Sequence, residues 1–226
     1  KGVASHGLRL VPDPSQIPTD INIKIGRTWQ ESKAMRDNFK QQGIDVTVLT
    51  KGDLMIPAFD KTGKLTTLQT ISNNGFKSYV KDGQKSGSYL VLGEPKNSEP
   101  ILIAEGYATA ANLHEQLNQP VIVAFDSGNL KNVGSAIREK FPDSMIYFMA
   151  DNDHQTQSER IAQGYTKNLN SGIEKAVEAS LAINGYVVYP TFASNDKGSD
   201  FNDLYHSMGV DEMKNQIRHQ VKAIKT

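Results

Sequence analysis

PILIAEGYATAANLHEQLNQPVIVAFD, residues 100–126, is the stretch that decides the fold. Its two apolar runs, 101–104 and 121–125, enclose a segment with the composition of a helix. Short continuous runs rich in Ile and Val, separated by helical periods, are typical of parallel strands that are buried on both faces. The same alternation continues to MIYFMAD (145–151) and YVVYP (186–190). We therefore predict an α/β fold, a mainly parallel sheet flanked by helices on both faces, because right-handed crossovers place the helices there.

The chain before residue 100 has a different pattern. A segment of helical composition, 28–43, ends at a glycine, and short strand-like runs separated by turn signals such as DKTGKL and SNNG follow it. This pattern predicts a smaller β-rich α+β module, joined to the sheet domain through GEPKNSEP (93–100). We accordingly divide the chain into a module at 1–97 and an α/β domain with a C-terminal helical segment at 98–226. The strands predicted in the module are 44–50, 54–59, 65–71, 76–80 and 88–93.

The composition excludes several classes of protein. The 226 residues include no cysteine, which excludes disulfides and Cys-ligated zinc and fits a cytoplasmic protein. No apolar run approaches the length of about 20 residues that a membrane helix needs, so we expect no membrane partner. The chain begins with Lys1, from which we expect it to be a piece of a longer protein.

The charge is distributed unevenly although the net charge is zero. Residues 1–99 carry 14 Lys/Arg against 10 Asp/Glu, and residues 100–226 carry 11 against 15. A basic part beside an acidic part would suit a nucleic-acid groove that faces a metal site. A split of this size also arises by chance, and the charge pattern alone leaves both interpretations open.

Acidic residues follow the predicted strands at the points where the strands end. The carboxyl ends of parallel strands lie on one edge of the sheet, so these acids should lie close together. Their mutual repulsion would raise their pKa values unless a cation lay among them. Carboxylates without Cys suit Mg²⁺ or Mn²⁺, which points to phosphoryl or nucleotidyl transfer. The acids concerned are Glu105, Asp126, Asp151, Asp153, Asp196, Asp200 and Asp203.

Gly106 follows Glu105 directly, where the first strand turns into a helix. A residue without Cβ lets the backbone or a ligand approach closely, and the N–H groups at the start of the helix can bind an anion. An ordinary strand-to-helix glycine turn would have the same sequence. The later Asp-Asn-Asp after another strand of the same sheet favours a binding site.

The order strand–EGYATA–helix followed by strand–DND resembles the Toprim domain of bacterial-type primases, type IA and II topoisomerases and several nucleases. Its signature is Glu-Gly after one strand and Asp-x-Asp after another, here Glu105, Gly106, Asp151 and Asp153. Further blocks are similar to the primases of conjugative plasmids and some phages. These blocks are KGVASHGLRL, LMIPAFDKTGKLTTLQTI, GFKSYVKDGQKSGSYLVLG, VIVAFDSGNL and SDFNDL.

The resemblance implies a nucleotidyltransferase core that synthesises RNA primers on a single-stranded DNA template from nucleoside triphosphates, with two bound Mg²⁺ or Mn²⁺ ions. It implies metal binding or acid–base work for Glu105, metal binding for Asp151 and Asp153, and a further acidic motif at Asp200 and Asp203. Three lysines become candidates for holding template or nucleotide phosphates, although lysines also guard solvated strand edges. They are Lys77, Lys81 and Lys85. Other domains of a parent replication or conjugation protein are further expected partners.

Departures from the family pattern leave alternatives open. Thr109 stands where many primases have a second acid, and two residues instead of one separate Asp200 from Asp203. A Toprim nuclease, or a non-catalytic DNA- or protein-binding module of a relaxase or replication protein, would fit these departures. YFMADNDHQT also resembles the opening motif of haloacid-dehalogenase-type phosphatases, but that motif normally opens its sheet. Among other residues, His154 is either a ligand or an exposed loop residue, and Trp29 is predicted to lie in a core.

Overall fold

The computed structural model describes residues 8–11, 23–44 and 46–224. By contacts the chain divides into two compact units, 1–85 and 86–226. This division lies before the predicted boundary at residue 97, because the strand at 90–92 pairs with the sheet of the second unit. Of the block KGVASHGLRL, only the last three residues lie within the described part of the chain.

The first unit contains an antiparallel sheet and a β–α–β unit. Its elements are β1 (Arg9–Leu10), β2 (Ile23–Gly26), α1 (Trp29–Gln41), β3 (Thr47–Thr50), β4 (Leu54–Phe59), β5 (Leu65–Ile71) and β6 (Lys77–Tyr79). The sheet has the order β1-β4-β5-β6, and β2 and β3 form a separate parallel pair that α1 connects. The sequence pattern predicted α1 and β3 to β6 and missed the short β1 and β2.

Helix α1 packs closely on the β2–β3 pair. Thr28 caps the helix by accepting a hydrogen bond from the Glu31 amide, and the Ser32 hydroxyl donates to the Leu49 carbonyl oxygen at 3.0 Å. A Cβ on Gly26 would lie 2.3 Å from Ser32 Oγ, so the approach requires glycine. Because the small Ser32 makes the buried contact, Trp29 remains 42% exposed. The prediction of Trp29 as a core residue is therefore wrong.

The second unit is a five-stranded α/β sheet with the order β11-β10-β8-β9-β7. Its elements are β7 (Leu90–Leu92), β8 (Ile101–Ala104), α2 (Tyr107–Leu117), β9 (Val121–Val123), α3 (Leu130–Lys140), β10 (Ile146–Met149), α4 (His154–Ala162), α5 (Ser171–Ile183), β11 (Tyr186–Val188) and α6 (Phe201–Ile224). All neighbouring strands are parallel except β7 and β9. The mainly parallel sheet predicted from the apolar runs is confirmed.

Helices cover both faces of this sheet. Helices α3 and α5 pack on each other and on β10, while α2 and α6 pack together and contact β9 and β11 respectively. Ile101, Ile103 and Phe148 point into the α3–α5 layer and are fully buried. Gly134 of α3 allows this packing, since a Cβ there would lie 2.7 Å from Phe148 Cζ. The continuous apolar runs therefore reflect burial on both faces.

Two features of the second unit follow no apolar period. Helix α4 buries no residue, so its sequence carries no helical hydrophobic pattern, and it was missed. Helix α6 is kinked at Gly209, whose φ of 85° and ψ of 173° are non-helical.

Within the described residues, no helix has the length and apolar character needed to cross a membrane.

Candidate active site at the carboxyl edge of the sheet

The two central strands carry the two halves of the predicted motif. Strands β8 and β10 are parallel neighbours, with Ala104 opposite Met149. Glu105 directly follows β8, and Asp151 follows β10 after one further residue. Both acids therefore leave the sheet at the same edge, where open α/β folds bind ligands. Gly106 is the extended N-cap residue of α2 and provides no side-chain capping bond.

Asp153 is oriented by the start of α5. Its Oδ2 atom accepts hydrogen bonds from Ser171 Oγ at 3.2 Å and from the Gly172 amide at 3.3 Å. The positive end of the helix dipole stabilises a carboxylate at this position. Both bonds end on Oδ2. Considering the described residues alone, Oδ1 therefore remains available to a ligand.

Gly172 is a site residue that the sequence reasoning missed. A Cβ at this position would lie 2.3 Å from the Asp151 carbonyl oxygen, so the first turn of α5 contacts the loop of the two acids directly. Only glycine allows this contact without displacing the loop. The signal in the sequence is the Ser-Gly pair at the beginning of the predicted helix.

Asp200 and Asp203 form hydrogen bonds at the beginning of α6. Asp200 is the N-cap residue, since its Oδ1 atom accepts a bond from the Asp203 amide at 2.8 Å and its carbonyl oxygen accepts one from Leu204. Asp203 Oδ2 accepts a bond from the Ser199 amide at 2.9 Å. The two acids stabilise the helix start whether or not a cation is bound.

Thr109 has a defined partner in the structure. It is 1% exposed, and its hydroxyl donates to Asp200 Oδ2 at 2.7 Å, which links α2 to the start of α6. A second acid at this position would repel Asp200 unless a cation lay between them. The Thr109 hydroxyl instead donates a hydrogen bond to the Asp200 carboxylate, and this contact needs no cation.

The remaining predicted acids and His154 are held by neighbouring loops. Asp126 Oδ1 accepts a bond from the Asn129 amide and caps a single 3₁₀ turn. Asp196 Oδ1 accepts a bond from the Gly198 amide. The His154 ring stacks on Phe192, and its Nε2 atom lies 3.1 Å from the Asp196 carbonyl oxygen. These contacts give all three side chains a role in holding loops.

The predicted acids are not assembled into a finished metal centre. Among the described residues, no group of three His, Asp or Glu side chains is arranged to hold a metal ion. The donor chemistry still fits Mg²⁺ or Mn²⁺ at Glu105, Asp151 and Asp153, which are carboxylates at one sheet edge. Asp200 fits less well, because each of its carboxylate oxygens already accepts a hydrogen bond.

The predicted phosphate-binding lysines lie in the first unit. Lys77 begins β6, which is an edge strand, and the Lys81 amide donates to Thr47 Oγ1. The Lys85 ammonium lies 5.2 Å from the centre of the Tyr79 ring. Residues 1–85 contain 13 Lys/Arg against 8 Asp/Glu, so the unit as a whole is basic.

Comparison with known proteins identifies relatives by sequence. Residues 100–211 match the Toprim domain family. The chain is 40% identical over 144 residues to a DNA primase TraC of Escherichia coli, and 39% identical over 141 residues to a second one. These alignments cover 62% and 61% of this chain but only 13% and 9% of the relatives. The chain therefore spans a small part of the length of these relatives.

Comparison with solved structures supports the same fold. A structure of bacteriophage T7 lagging-strand DNA polymerase interacting with the primase domains of two gp4 subunits contains a chain that matches with a TM-score of 0.52 and 13% identity. The match covers 94% of this chain and 92% of that chain. The Aquifex aeolicus primase (zinc-binding and RNA polymerase domains) matches with a TM-score of 0.50 and 13% identity, over 74% of this chain and 40% of that one. The resemblance inferred from the sequence is thus confirmed: residues 100–211 belong to the Toprim domain family, within a chain related to the DNA primase TraC.

Proposed function

We propose that this chain is the nucleotidyltransferase core of a DNA primase and joins nucleoside triphosphates into an RNA primer on a single-stranded DNA template. The observation that carries the proposal is the adjacency of β8 and β10, whose ends present Glu105-Gly106 and Asp151–Asp153 at one edge of a Toprim sheet. Because the chain spans a small part of its relatives, the activity belongs to a larger parent protein whose other domains are further partners. A cytoplasmic location is part of the proposal.

Glu105, Asp151 and Asp153 would hold the divalent cations, Mg²⁺ or Mn²⁺. When bound, such a cation offsets negative charge on the nucleotide phosphates and lowers the pKa of a coordinated hydroxyl. Glu105 stands where it would bind the cation or accept the proton of the primer 3′-hydroxyl. Asp153, oriented by Ser171 and Gly172, would keep one oxygen directed to the ligand.

Gly106 would serve nucleotide binding through the backbone. It has no Cβ, and its position as N-cap leaves the first-turn amides of α2 without a side-chain acceptor from the cap. These amides would donate to a phosphate of the incoming nucleotide, as N–H groups at helix starts do for anions. Lys77, Lys81 and Lys85 would bind template phosphates without reading bases.

The test is primer synthesis by the parent protein with Glu105→Gln. Glutamine keeps the size of the side chain and removes its charge, so metal binding or proton transfer should fail and dinucleotide synthesis on a single-stranded template should fall at least a hundredfold. Binding of single-stranded DNA should remain within twofold of the wild type. Glu99→Gln, an exposed acid that lies 3.9 Å from Lys96, is the matched control and should retain activity.

Full activity of Glu105→Gln would show that the site is misassigned. One observation favours the alternative of a non-catalytic DNA- or protein-binding module, since the Thr109–Asp200 bond satisfies an acid that would otherwise await a cation. In that case the wild-type parent should bind single-stranded DNA but neither extend nor cleave it in Mg²⁺ or Mn²⁺. Cleavage without synthesis in the same assay would identify a Toprim nuclease.

A further inference from the structure

The residue between the two acids, Asn152, connects their loop to other parts of the second unit. Asn152 is 9% exposed and makes three hydrogen bonds to residues that are distant in sequence. Its backbone N–H donates to the Ser199 carbonyl oxygen at 2.6 Å, and its side-chain Nδ2 atom donates to the Pro190 carbonyl oxygen at 2.8 Å. Its Oδ1 atom accepts a bond from Asn170 Nδ2 at 2.8 Å. Asn152 therefore joins the loop of the acids to two other loops, 163–170 and 189–200.

Asn170 completes this network from the other side. It is 4% exposed and caps α5, with its Oδ1 atom accepting a bond from the Ile173 amide at 3.3 Å. The same oxygen accepts a bond from the Asp153 amide at 3.2 Å. The Asn152–Asn170 pair thus fixes the backbone of Asp153 and ties it to the helix whose first turn holds the Asp153 carboxylate.

We propose that Asn152 is a positioning residue that fixes Asp151 and Asp153 for cation binding by locking their loop to the two neighbouring loops. The part that concerns cations rests on the proposed function. Two carboxylates that are two residues apart in one loop repel each other before a cation binds, and a flexible loop would let them separate. A loop held at both sides keeps them in place, so less free energy is spent on reorganisation when the ion binds.

The chemistry of the network requires an amide at position 152. The Pro190 carbonyl needs a donor and Asn170 Nδ2 needs an acceptor, and an amide of this length supplies both. Aspartate has the same shape but would place a carboxylate oxygen against the Pro190 carbonyl oxygen and would add a third negative charge. Alanine would leave buried partners without hydrogen bonds, which costs free energy.

The hydrogen bonds of Asn152 also reach the segment that leads into α6. Asn152 binds Pro190 through its side chain and Ser199 through its backbone amide, near the two ends of the loop 189–200, and Asp200 directly follows Ser199. The Gln155 amide and the His154 ring add contacts to Asp196 within the same loop. Loss of the Asn152 side chain would remove the bonds to Pro190 and Asn170 and leave the backbone bond to Ser199. It should therefore loosen the loops 163–170 and 189–200 as well as the loop of the acids.

The test compares Asn152→Ala and Asn152→Asp with the wild-type full chain by Mn²⁺ calorimetry and by hydrogen exchange. Both variants should weaken Mn²⁺ binding at least tenfold and should accelerate exchange in 150–156 and in 189–200. Asn132→Ala, which removes an exposed amide bonded to Ser86, is the matched control and should change neither quantity. Ile137→Ala, which removes a side chain of α3 that is buried in the core, should lower the melting temperature but leave Mn²⁺ affinity within twofold at temperatures where the variant is folded.

Mn²⁺ affinity of Asn152→Ala within twofold of the wild type would overturn the proposal. So would an equal loss of affinity in Ile137→Ala, because general destabilisation would then explain the effect. If the wild type itself binds no Mn²⁺, the proposed function fails. Hydrogen exchange alone then tests whether Asn152 holds the three loops together. Accelerated exchange that is confined to the loop of the acids would then overturn the proposal for Asn152.

Discussion

At the scale of single residues, Tyr107 is buried although its hydroxyl forms no hydrogen bond to the described residues. The side chain is 4% exposed, and its oxygen has no hydrogen-bond partner among the described residues. Burial and the nearby Glu115 carboxylate raise the pKa of Tyr107 to about 12. The unfolded chain ionises this tyrosine near pH 10. Its contribution to stability is therefore complete below pH 10 and is lost as the pH rises towards 12, by up to about 2.7 kcal/mol.

Tyr107→Phe should remove this dependence. Phenylalanine keeps the ring and deletes a buried hydroxyl that has no partner, so the free energy of unfolding at pH 7 should rise by about 1 kcal/mol. Between pH 10 and 12 the variant should lose less stability than the wild type in urea titrations. Tyr165→Phe, at an exposed tyrosine, is the control and should leave both quantities unchanged. A lower stability of Tyr107→Phe at pH 7 would show that the hydroxyl has a partner, such as a buried water.

At the scale of elements, α6 covers the open edge of the sheet beyond β11. Gln220 bonds to both the amide and the carbonyl of Tyr189, at 3.1 and 2.7 Å. Gln216 does the same with Thr191, at 2.8 and 3.1 Å. Four residues of a helix rise about 6 Å and two residues of an extended chain about 6.6 Å, so the spacings match. The glutamine side chains replace a neighbouring strand at an edge that would otherwise be able to pair with another chain.

Replacing Gln216 and Gln220 together by Ala should expose this edge. The four bonds are exposed to solvent, so we expect a loss of about 1–2 kcal/mol in the free energy of unfolding. The variant should also self-associate at high concentration, because the backbone of 189–191, which follows the edge strand β11, becomes available for pairing. Thermal unfolding and light scattering measure the two effects. Asn215→Ala on the same helix is the control, and equal behaviour of the two variants would show that the glutamines do not protect the edge.

The burial of each element explains whether the sequence predicted it. Strands β8 and β10 are buried on both faces, so their apolar runs stand out, and the order of the elements then places Glu105 and Asp151 at one edge. Helix α4 buries nothing, and β2 (IKIG) has a lysine within it instead of a continuous apolar run, so neither stands out in the sequence. The bonds of Thr109 and Asn152 join residues that are far apart in the chain, and no local pattern records such contacts.

At the scale of the whole molecule, the two units carry opposite charge. Residues 1–85 carry 13 Lys/Arg against 8 Asp/Glu, and residues 86–226 carry 12 against 17. The division at residue 85 gives the units net charges of +5 and −5, against +4 and −4 for the two parts divided at residue 99. A basic unit attracts a polyanion, and an acidic unit with carboxylates at a sheet edge attracts cations. The two proposed binding activities, for DNA and for cations, should therefore be separable by mutation.

Replacing Lys77, Lys81 and Lys85 by Ala should weaken binding of single-stranded DNA and leave Mn²⁺ affinity unchanged. Each phosphate contact that is lost should lower the slope of log K against log salt by about 0.7, so the three together should lower it by about 2. Fluorescence anisotropy with a labelled oligonucleotide at several salt concentrations measures the slope. The control replaces three exposed lysines of the acidic unit, Lys131, Lys140 and Lys175. An unchanged slope for the first variant, or an equal change in the control, would show that the β6 lysines only guard a solvated strand edge.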